Sequence, residues 1–129
     1  LGRLQQAAYA AALIEQSTET ETPLVEIHRL LSDFLEWLCE NTPQLQNVLT
    51  LELKLLRILG MEPDLNETRL TPGAKKAAAA LLESNWAGSA RLKLSGTQGD
   101  ELRQWLHGFL IFHLGKLPRG RSAALLVEG

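Results

Sequence analysis

The chain has 129 residues, of which 45% are hydrophobic, and it carries 13 Lys or Arg against 15 Asp or Glu, a formal net charge of -2. This apolar content is sufficient for one hydrophobic core. The single cysteine, Cys39, excludes an internal disulfide and a cysteine-only zinc site, and no apolar run approaches the ~20 residues of a membrane-spanning helix. We therefore expect one soluble domain in a reducing, cytoplasmic compartment.

The charge is divided unevenly along the chain. Residues 1–68 contain four Lys or Arg and eleven Asp or Glu, whereas residues 69–129 contain nine and four. A basic half can present a surface to an anionic partner even though the whole chain is slightly acidic. The alternative is that the two halves attract each other within the fold.

Five helices are predicted in chain order from the signals for helix starts. The first is under way by residue 3 and runs to residue 16. Three Thr-Pro pairs mark the next three starts, because threonine caps a helix and proline is favoured at its first position. Residues 97–100 have the spacing of a capping box, with aspartate in place of glutamate, and mark the fifth start. The three pairs are Thr22-Pro23, Thr42-Pro43 and Thr71-Pro72.

The signals for helix stops complete the predicted fold. Gly60 follows the third helix and Gly115 closes the fifth, since glycine readily adopts the backbone conformation that ends a helix. Polar and apolar residues alternate over 90–95, but this segment is too short and isolated to form a sheet, so we leave it as coil or an edge fragment. The predicted fold class is all-α, a compact bundle of about five helices in one domain over residues 1–129.

Two polar residues fall on the apolar faces of predicted helices. On a helical wheel, Glu52 lies in the middle of the leucine-rich stripe of residues 44–59, and His113 lies near the centre of the apolar stripe of residues 100–116. A buried charge needs a partner, and the candidates for Glu52 are His113, the indole of Trp105 or an arginine. We interpret Glu52 and His113 as a structural pair in the core.

The alternative interpretation of Glu52 and His113 is a general acid/base pair. No nucleophile, glycine-rich phosphate loop or second carboxylate accompanies them in the sequence, so no catalytic residue is predicted and an enzyme is not expected. His107 and His113 lie about 240° apart around a helix and cannot share a metal ion, so neither a metal nor a cofactor is predicted. Cys39 is interpreted as a small core residue.

Six residues are candidates for binding an anionic partner or DNA. Three fall on the predicted polar face of the third helix, opposite Glu52, and three follow the fifth helix. Each of the five cations among them has the alternative interpretation of a solvated surface charge, so only proximity of the candidates in the fold would favour a binding site. The candidates are Thr50, Lys54, Arg57, Lys116, Arg119 and Arg121.

Three segments carry a resemblance to one protein family. Residues 51–65, LELKLLRILGMEPDL, are similar to a helix and turn with the order Phe-Glu, Leu-rich, Leu-Gly and Pro-Asp-Leu. Residues 7–14 and residues 112–118 are similar to an early helix and to a closing Tyr-His-Leu-Gly, basic, proline and leucine signature. The chain thus resembles the C-terminal helical domain of the bacterial DNA recombination mediator RecO.

The resemblance implies a non-enzymatic module of recombinational DNA repair. It implies an OB-fold upstream in a longer chain, through which single-stranded DNA is mainly bound, and no membrane partner. The implied protein partners are RecR and the C-terminal tail of single-stranded-DNA-binding protein, and the implied activities are single-strand annealing and recombinase loading after DNA damage. The implied location is the bacterial cytoplasm, at the nucleoid.

The sequence departs from the RecO pattern at two places. Asn66 to Arg69 stand where many members carry a four-cysteine zinc ribbon, so no zinc ribbon is expected, and Leu49 and Thr50 stand where members often carry arginines. Glu52 and the closing Arg119 and Arg121 match the family. An acidic, apolar-ended peptide would then bind in an apolar groove between helices, with Lys54 and Arg57 or the terminal arginines pairing its carboxylates. The alternative function is a structural scaffold or oligomerisation domain without a ligand.

Overall fold

The structure of the protein, a computed structural model, describes residues 1–18 and 24–126. Within these ranges the chain forms seven α-helices, one 3₁₀ turn at Leu65–Glu67 and no strand, so the predicted all-α fold class is confirmed. Crossing a membrane would need a longer and more apolar helix than any in the described ranges. The helices are α1 (Gly2–Ser17), α2 (Leu24–Glu40), α3 (Leu45–Ile58), α4 (Pro72–Glu83), α5 (Trp86–Arg91), α6 (Gly96–Leu114) and α7 (Arg121–Leu125).

Helix α3 is the centre of the fold, because α1, α2, α4, α5, α6 and α7 all pack against it. Nine of its 14 residues are buried, so it has no broad polar face. The predicted polar face is wrong at Thr50, which is fully buried and whose Oγ1 donates to the carbonyl oxygen of Leu81 at 3.5 Å. A helix with neighbours on every side buries residues all round, and no single apolar stripe describes it.

Helices α1 and α2 form an antiparallel pair beside α3. Arg3 Nε donates to the carbonyl oxygen of Leu38 at 3.0 Å, which places the start of α1 beside the end of α2. Cys39 is exposed, so its predicted place in the core is wrong. The buried stripe of α2 includes Leu38, and the next residue lies 100° further round the helix, away from the core.

The helix starts agree only in part with the prediction. Thr71 caps α4 as predicted: its Oγ1 accepts a hydrogen bond from the backbone N–H of Ala74 at 3.4 Å, and Pro72 is the first helical residue. The start predicted at Thr42-Pro43 is wrong, because α3 begins at Leu45 with Gln44 as its N-cap. The pair Thr22-Pro23 lies outside the described residues.

The cap of the fifth predicted helix lies two residues earlier than predicted. Ser95, not Thr97, caps α6: Ser95 Oγ accepts from the backbone N–H of Gln98 at 3.1 Å, and Gln98 Oε1 accepts from the backbone N–H of Ser95 at 3.2 Å. These two bonds make a complete capping box, in which Gln98 stands at the third helical position, where glutamate or glutamine is usual. The capping box therefore starts at Ser95.

The predicted helix stops are confirmed, and the remaining differences concern short elements. Gly60 and Gly115 have φ angles of 77° and 85°, the left-handed conformation that ends α3 and α6. Residues 90–95 are not a strand, because α5 runs to Arg91 and an irregular segment leads to the capping box. The short helices α5 and α7 were not predicted, since helices of one or two turns are too short for a visible 3.6-residue period.

Helix α7 returns the end of the described chain to its beginning. It packs against α1 and α3, and the buried side-chain amide of Gln6 donates to the carbonyl oxygens of Ala124 and Gln44, both at 3.1 Å. This docking directs the first residue of α7, Arg121, toward the centre of the bundle.

Candidate functional site

The side chain of Glu52 lies fully buried in α3 and is held by two partners. Tyr9 Oη, from α1, donates to Glu52 Oε2 at 2.6 Å. Arg121 forms a bidentate pair, with Nε donating to Oε2 at 2.6 Å and Nη2 to Oε1 at 2.9 Å. We call Tyr9, Glu52 and Arg121 the Glu52 network. The burial predicted for Glu52 is observed, and its partner is an arginine, one of the three kinds considered.

Contacts within the Glu52 network raise the pKa values of Arg121 and Tyr9. Burial lowers the pKa of Arg121, but the hydrogen bonds and charge of Glu52 more than offset this, so the pKa is raised overall. Burial, together with the charge and hydrogen bond of Glu52, raises the pKa of Tyr9 far above its usual range. Arg121 is therefore held as a guanidinium and Tyr9 as a protonated phenol, and the Glu52 network joins α1, α3 and α7.

The predicted locations of two side chains, Arg121 and His113, are wrong. Arg121 was expected to bind a partner or DNA at the surface, but its side chain is only 6% exposed and is committed to Glu52. Its remaining nitrogen, Nη1, donates to the carbonyl oxygen of Arg103 and lies 3.3 Å from His107 Nδ1. Arg121 is therefore a structural residue of the core.

His113 was expected in the core, but it is exposed at the end of α6. Ile111 and Phe112 beside it are 41% and 83% exposed, so the last turn of α6 is only partly covered by the core, although His113 lies on the predicted face of the helix. The imidazole instead stacks on Phe109, with ring centroids 4.3 Å apart. The structure does not bring His113 to the buried Glu52 network, which removes the acid/base pair considered above.

A groove of about 300 Å³ lies between α2 and α3, and we call it the α2–α3 groove. Two of its cations, Lys54 and Arg57, were predicted as binding residues, and Arg29 is a third that the sequence analysis missed. Glu26, Arg29 and Asp33 recur at helical spacing on one side of the apolar stripe of α2, a signal that could have indicated Arg29. The lining residues are Glu26, Arg29, Leu30, Asp33, Lys54, Arg57 and Ile58.

The two α3 cations of the α2–α3 groove differ in their environments. Lys54 is partly buried, its Nζ donates to the carbonyl oxygen of Leu82 at 3.0 Å, and burial, with the nearby charge of Arg57, lowers its pKa. Arg57 is more exposed and is paired with Glu62 and Glu83, whose hydrogen bonds raise its pKa. Lysine and arginine here provide N–H donors suited to a carboxylate ligand.

The other two predicted cations lie elsewhere. Lys116 and Arg119 are exposed in the segment between α6 and α7, and neither lines the α2–α3 groove. The main-chain oxygen of Lys116 accepts a hydrogen bond from Gln16 Nε2 at 2.7 Å, which ties this segment to the end of α1. The predicted cations therefore do not form one cluster.

A comparison with models of protein families identifies the family of the chain. The model described as the C-terminal part of recombination protein O matches residues 1–70. The chain belongs to this family. The resemblance to RecO that residues 51–65 indicated is thereby confirmed. Membership supports a role in DNA recombination and repair as a recombination mediator, and members of this family are generally not enzymes.

The matched range locates the candidate sites within this RecO C-terminal domain. It includes α1, α2 and α3, and so contains Tyr9, Glu52 and the three cations of the α2–α3 groove. Arg121 lies outside it. Neither the search of curated proteins nor the search of solved structures found a match to the chain.

Proposed function

We propose that this domain is a non-enzymatic module of recombinational repair that binds the acidic C-terminal tail of single-stranded-DNA-binding protein in the α2–α3 groove. The observation that carries the proposal is the lining of the groove. Leu30 and Ile58 supply apolar surface, and Arg29, Lys54 and Arg57 supply three cations around it. A peptide with carboxylates and an apolar end requires this combination of surfaces.

The further partners of this module follow from the family and are part of the same proposal. We expect the domain to work with RecR, to support single-strand annealing and recombinase loading, and to follow an OB-fold that binds single-stranded DNA. We place this activity in the cytoplasm of a bacterium, at the nucleoid. What supports these partners is membership of the family, and what supports tail binding is, in addition, the α2–α3 groove.

Fluorescence anisotropy tests tail binding directly. A labelled peptide of acidic residues followed by Pro-Phe is titrated with the domain at low and moderate salt. We expect micromolar, salt-sensitive binding that Arg29→Ala and Lys54→Ala each weaken, because both remove a cation of the groove. Lys76→Ala is the matched control, since Lys76 is an exposed cation on α4 outside the groove. Absence of binding at about 1 mM protein would mean that the binding free energy is weaker than about -4 kcal/mol, and this would contradict the proposal.

A second candidate function, a scaffold that packs on another domain or a second copy, is favoured by one observation. Phe112 is 83% exposed and Ile111 is 41% exposed on the last turn of α6. Size-exclusion chromatography with light scattering over a range of concentrations tests self-association. A dimer that Phe112→Ser disrupts would support the scaffold, and a monomer at all concentrations would contradict the second-copy form of it.

A further inference from the structure

Arg57 stands between two grooves of opposite charge. Its side chain lines the α2–α3 groove, while its partners Glu62 and Glu83 line a neighbouring groove of about 430 Å³ that also contains Asp64. Arg57 Nε donates to Glu62 Oε1 at 2.5 Å, and Arg57 Nη2 donates to Glu83 Oε1. Among the cations of the α2–α3 groove, Arg57 is the only one in an ion pair within the described residues. Both of its partners belong to the neighbouring acidic groove.

The geometry of these two bonds matters for any acidic ligand. Nε and Nη2 form the edge of a guanidinium that grips a single carboxylate through two parallel hydrogen bonds. In this protein the edge is shared by two different carboxylates, each taking one N–H. A ligand carboxylate can therefore obtain the side-on, bidentate grip of Arg57 through Nε and Nη2 only by displacing Glu62 and Glu83.

Displacement of the two glutamates is energetically easy. The side chains of Arg57, Glu62 and Glu83 are 40%, 43% and 68% exposed, so solvent screens both pairs. Exposed ion pairs contribute little to stability, and breaking them leaves each carboxylate in water and not in the core. Glu62 follows α3 and Glu83 ends α4, so the two side chains can turn aside without any change in the helices.

We infer that Glu62 and Glu83 are an internal competitor for the acidic ligand of the α2–α3 groove, occupying the carboxylate-binding edge of Arg57 until that ligand displaces them. The inference rests on the proposed function and adds a regulation to it. In the free protein, Arg57 is engaged, and Arg29 and Lys54 meet the ligand first. Lys54 retains two N–H donors beyond the one that it gives to Leu82.

The inference predicts that removing the competitor strengthens binding and makes it depend on Arg57. The same acidic peptide is titrated with the E62Q/E83Q double variant, and we expect its affinity to rise about two- to fivefold. Arg57→Gln should then cancel this gain in the double variant while having a smaller effect in the unaltered protein. Glu67→Gln is the control, because it removes one negative charge from the 3₁₀ turn near Glu62 and forms no bond with Arg57.

The outcomes separate this inference from the proposed function. If the unaltered protein binds the peptide and E62Q/E83Q binds it equally well, or gains no more than Glu67→Gln does, the competitor is refuted and the proposed function stands. If the gain persists when Arg57→Gln is added, it is a general charge effect, which also refutes the competitor. If neither the unaltered protein nor E62Q/E83Q binds, with both folded by circular dichroism, the proposed function fails as well.

Discussion

The carboxylate of Glu52 and the guanidinium of Arg121 form a bidentate pair inside the protein although 69 residues separate them along the chain. The pair joins the central helix α3 to α7, and Tyr9 adds α1 through its bond to Glu52. These bonds restrict the relative placement of three helices, since two parallel hydrogen bonds require a defined orientation of the guanidinium and the carboxylate.

Removing one member of the pair should destabilise the fold strongly. Arg121→Met leaves the Glu52 carboxylate buried with only the Tyr9 hydroxyl as a donor, and we expect the free energy of unfolding to fall by roughly 3–5 kcal/mol. Urea denaturation measures the loss. Arg119→Met is the control, because that arginine is exposed two residues earlier, and its effect should stay below about 0.5 kcal/mol. Equal effects of the two substitutions would contradict the buried pair.

Tyr9 should make the stability depend on alkaline pH. Its pKa is raised in the folded protein above the unfolded value of 10.0, so above that value the unfolded chain loses the phenol proton while the folded chain keeps it. The contribution of Tyr9 to the free energy of unfolding is therefore fully present below pH 10. It falls as the pH rises further, by up to about 1.4 kcal/mol per pH unit. Urea denaturation between pH 8 and pH 11 measures the slope.

Tyr9→Phe is the control for that alkaline dependence. The variant loses the hydrogen bond to Glu52, so it should be less stable at pH 8 by about 1.5–3 kcal/mol, the range for bonds to charged groups. Because it has no phenol proton at this position, its stability should fall less steeply above pH 10. Equal slopes for the two proteins would show that Tyr9 does not contribute.

The burial of Glu52 could be predicted from the sequence, but its partner could not. The 3.6-residue period places Glu52 among leucines, and periodicity describes one helix at a time. Arg121 belongs to the five-residue helix α7, which has too few turns to show a period, and it reaches Glu52 only through tertiary packing. His113 has the position on the wheel that burial requires, but the wheel does not show how far other elements cover the last turn of α6.

The α2–α3 groove illustrates the same limit for the candidate site. Lys54 and Arg57 could be selected from the sequence as cations one turn apart on one helix. Arg29 could not be joined to them, because its neighbourhood depends on how α2 packs against α3. The predicted polar face of α3 was wrong at Thr50 for the related reason that six other helices surround α3.

The start of α6 offers a direct test of the corrected cap. Ser95→Ala removes the oxygen that accepts from the backbone N–H of Gln98, and we expect a loss of about 1 kcal/mol in the free energy of unfolding. Thr97→Ala should cost less than about 0.5 kcal/mol, because Thr97 is exposed within the first turn of α6 and is not its cap. The reverse order would restore the start that residues 97–100 suggested.

The two arginines of the α2–α3 groove should contribute unequally to peptide binding. Arg29→Ala should weaken binding of the acidic peptide more than Arg57→Ala does, because Arg57 must first give up Glu62 and Glu83. Isothermal titration calorimetry at one salt concentration compares the two affinities. An effect of Arg57→Ala that equals or exceeds that of Arg29→Ala would contradict this order.

We propose that the α2–α3 groove of this RecO C-terminal domain is where an acidic peptide binds. The most direct test is a titration of the isotopically labelled protein with the Pro-Phe-ended acidic peptide, followed by two-dimensional amide NMR. We predict that the largest shifts fall on the groove segments of α2 and α3, around Arg29, Leu30, Lys54 and Ile58. Shifts confined to the exposed end of α6 around Phe112, or no shifts at about 1 mM peptide, would contradict binding in the groove.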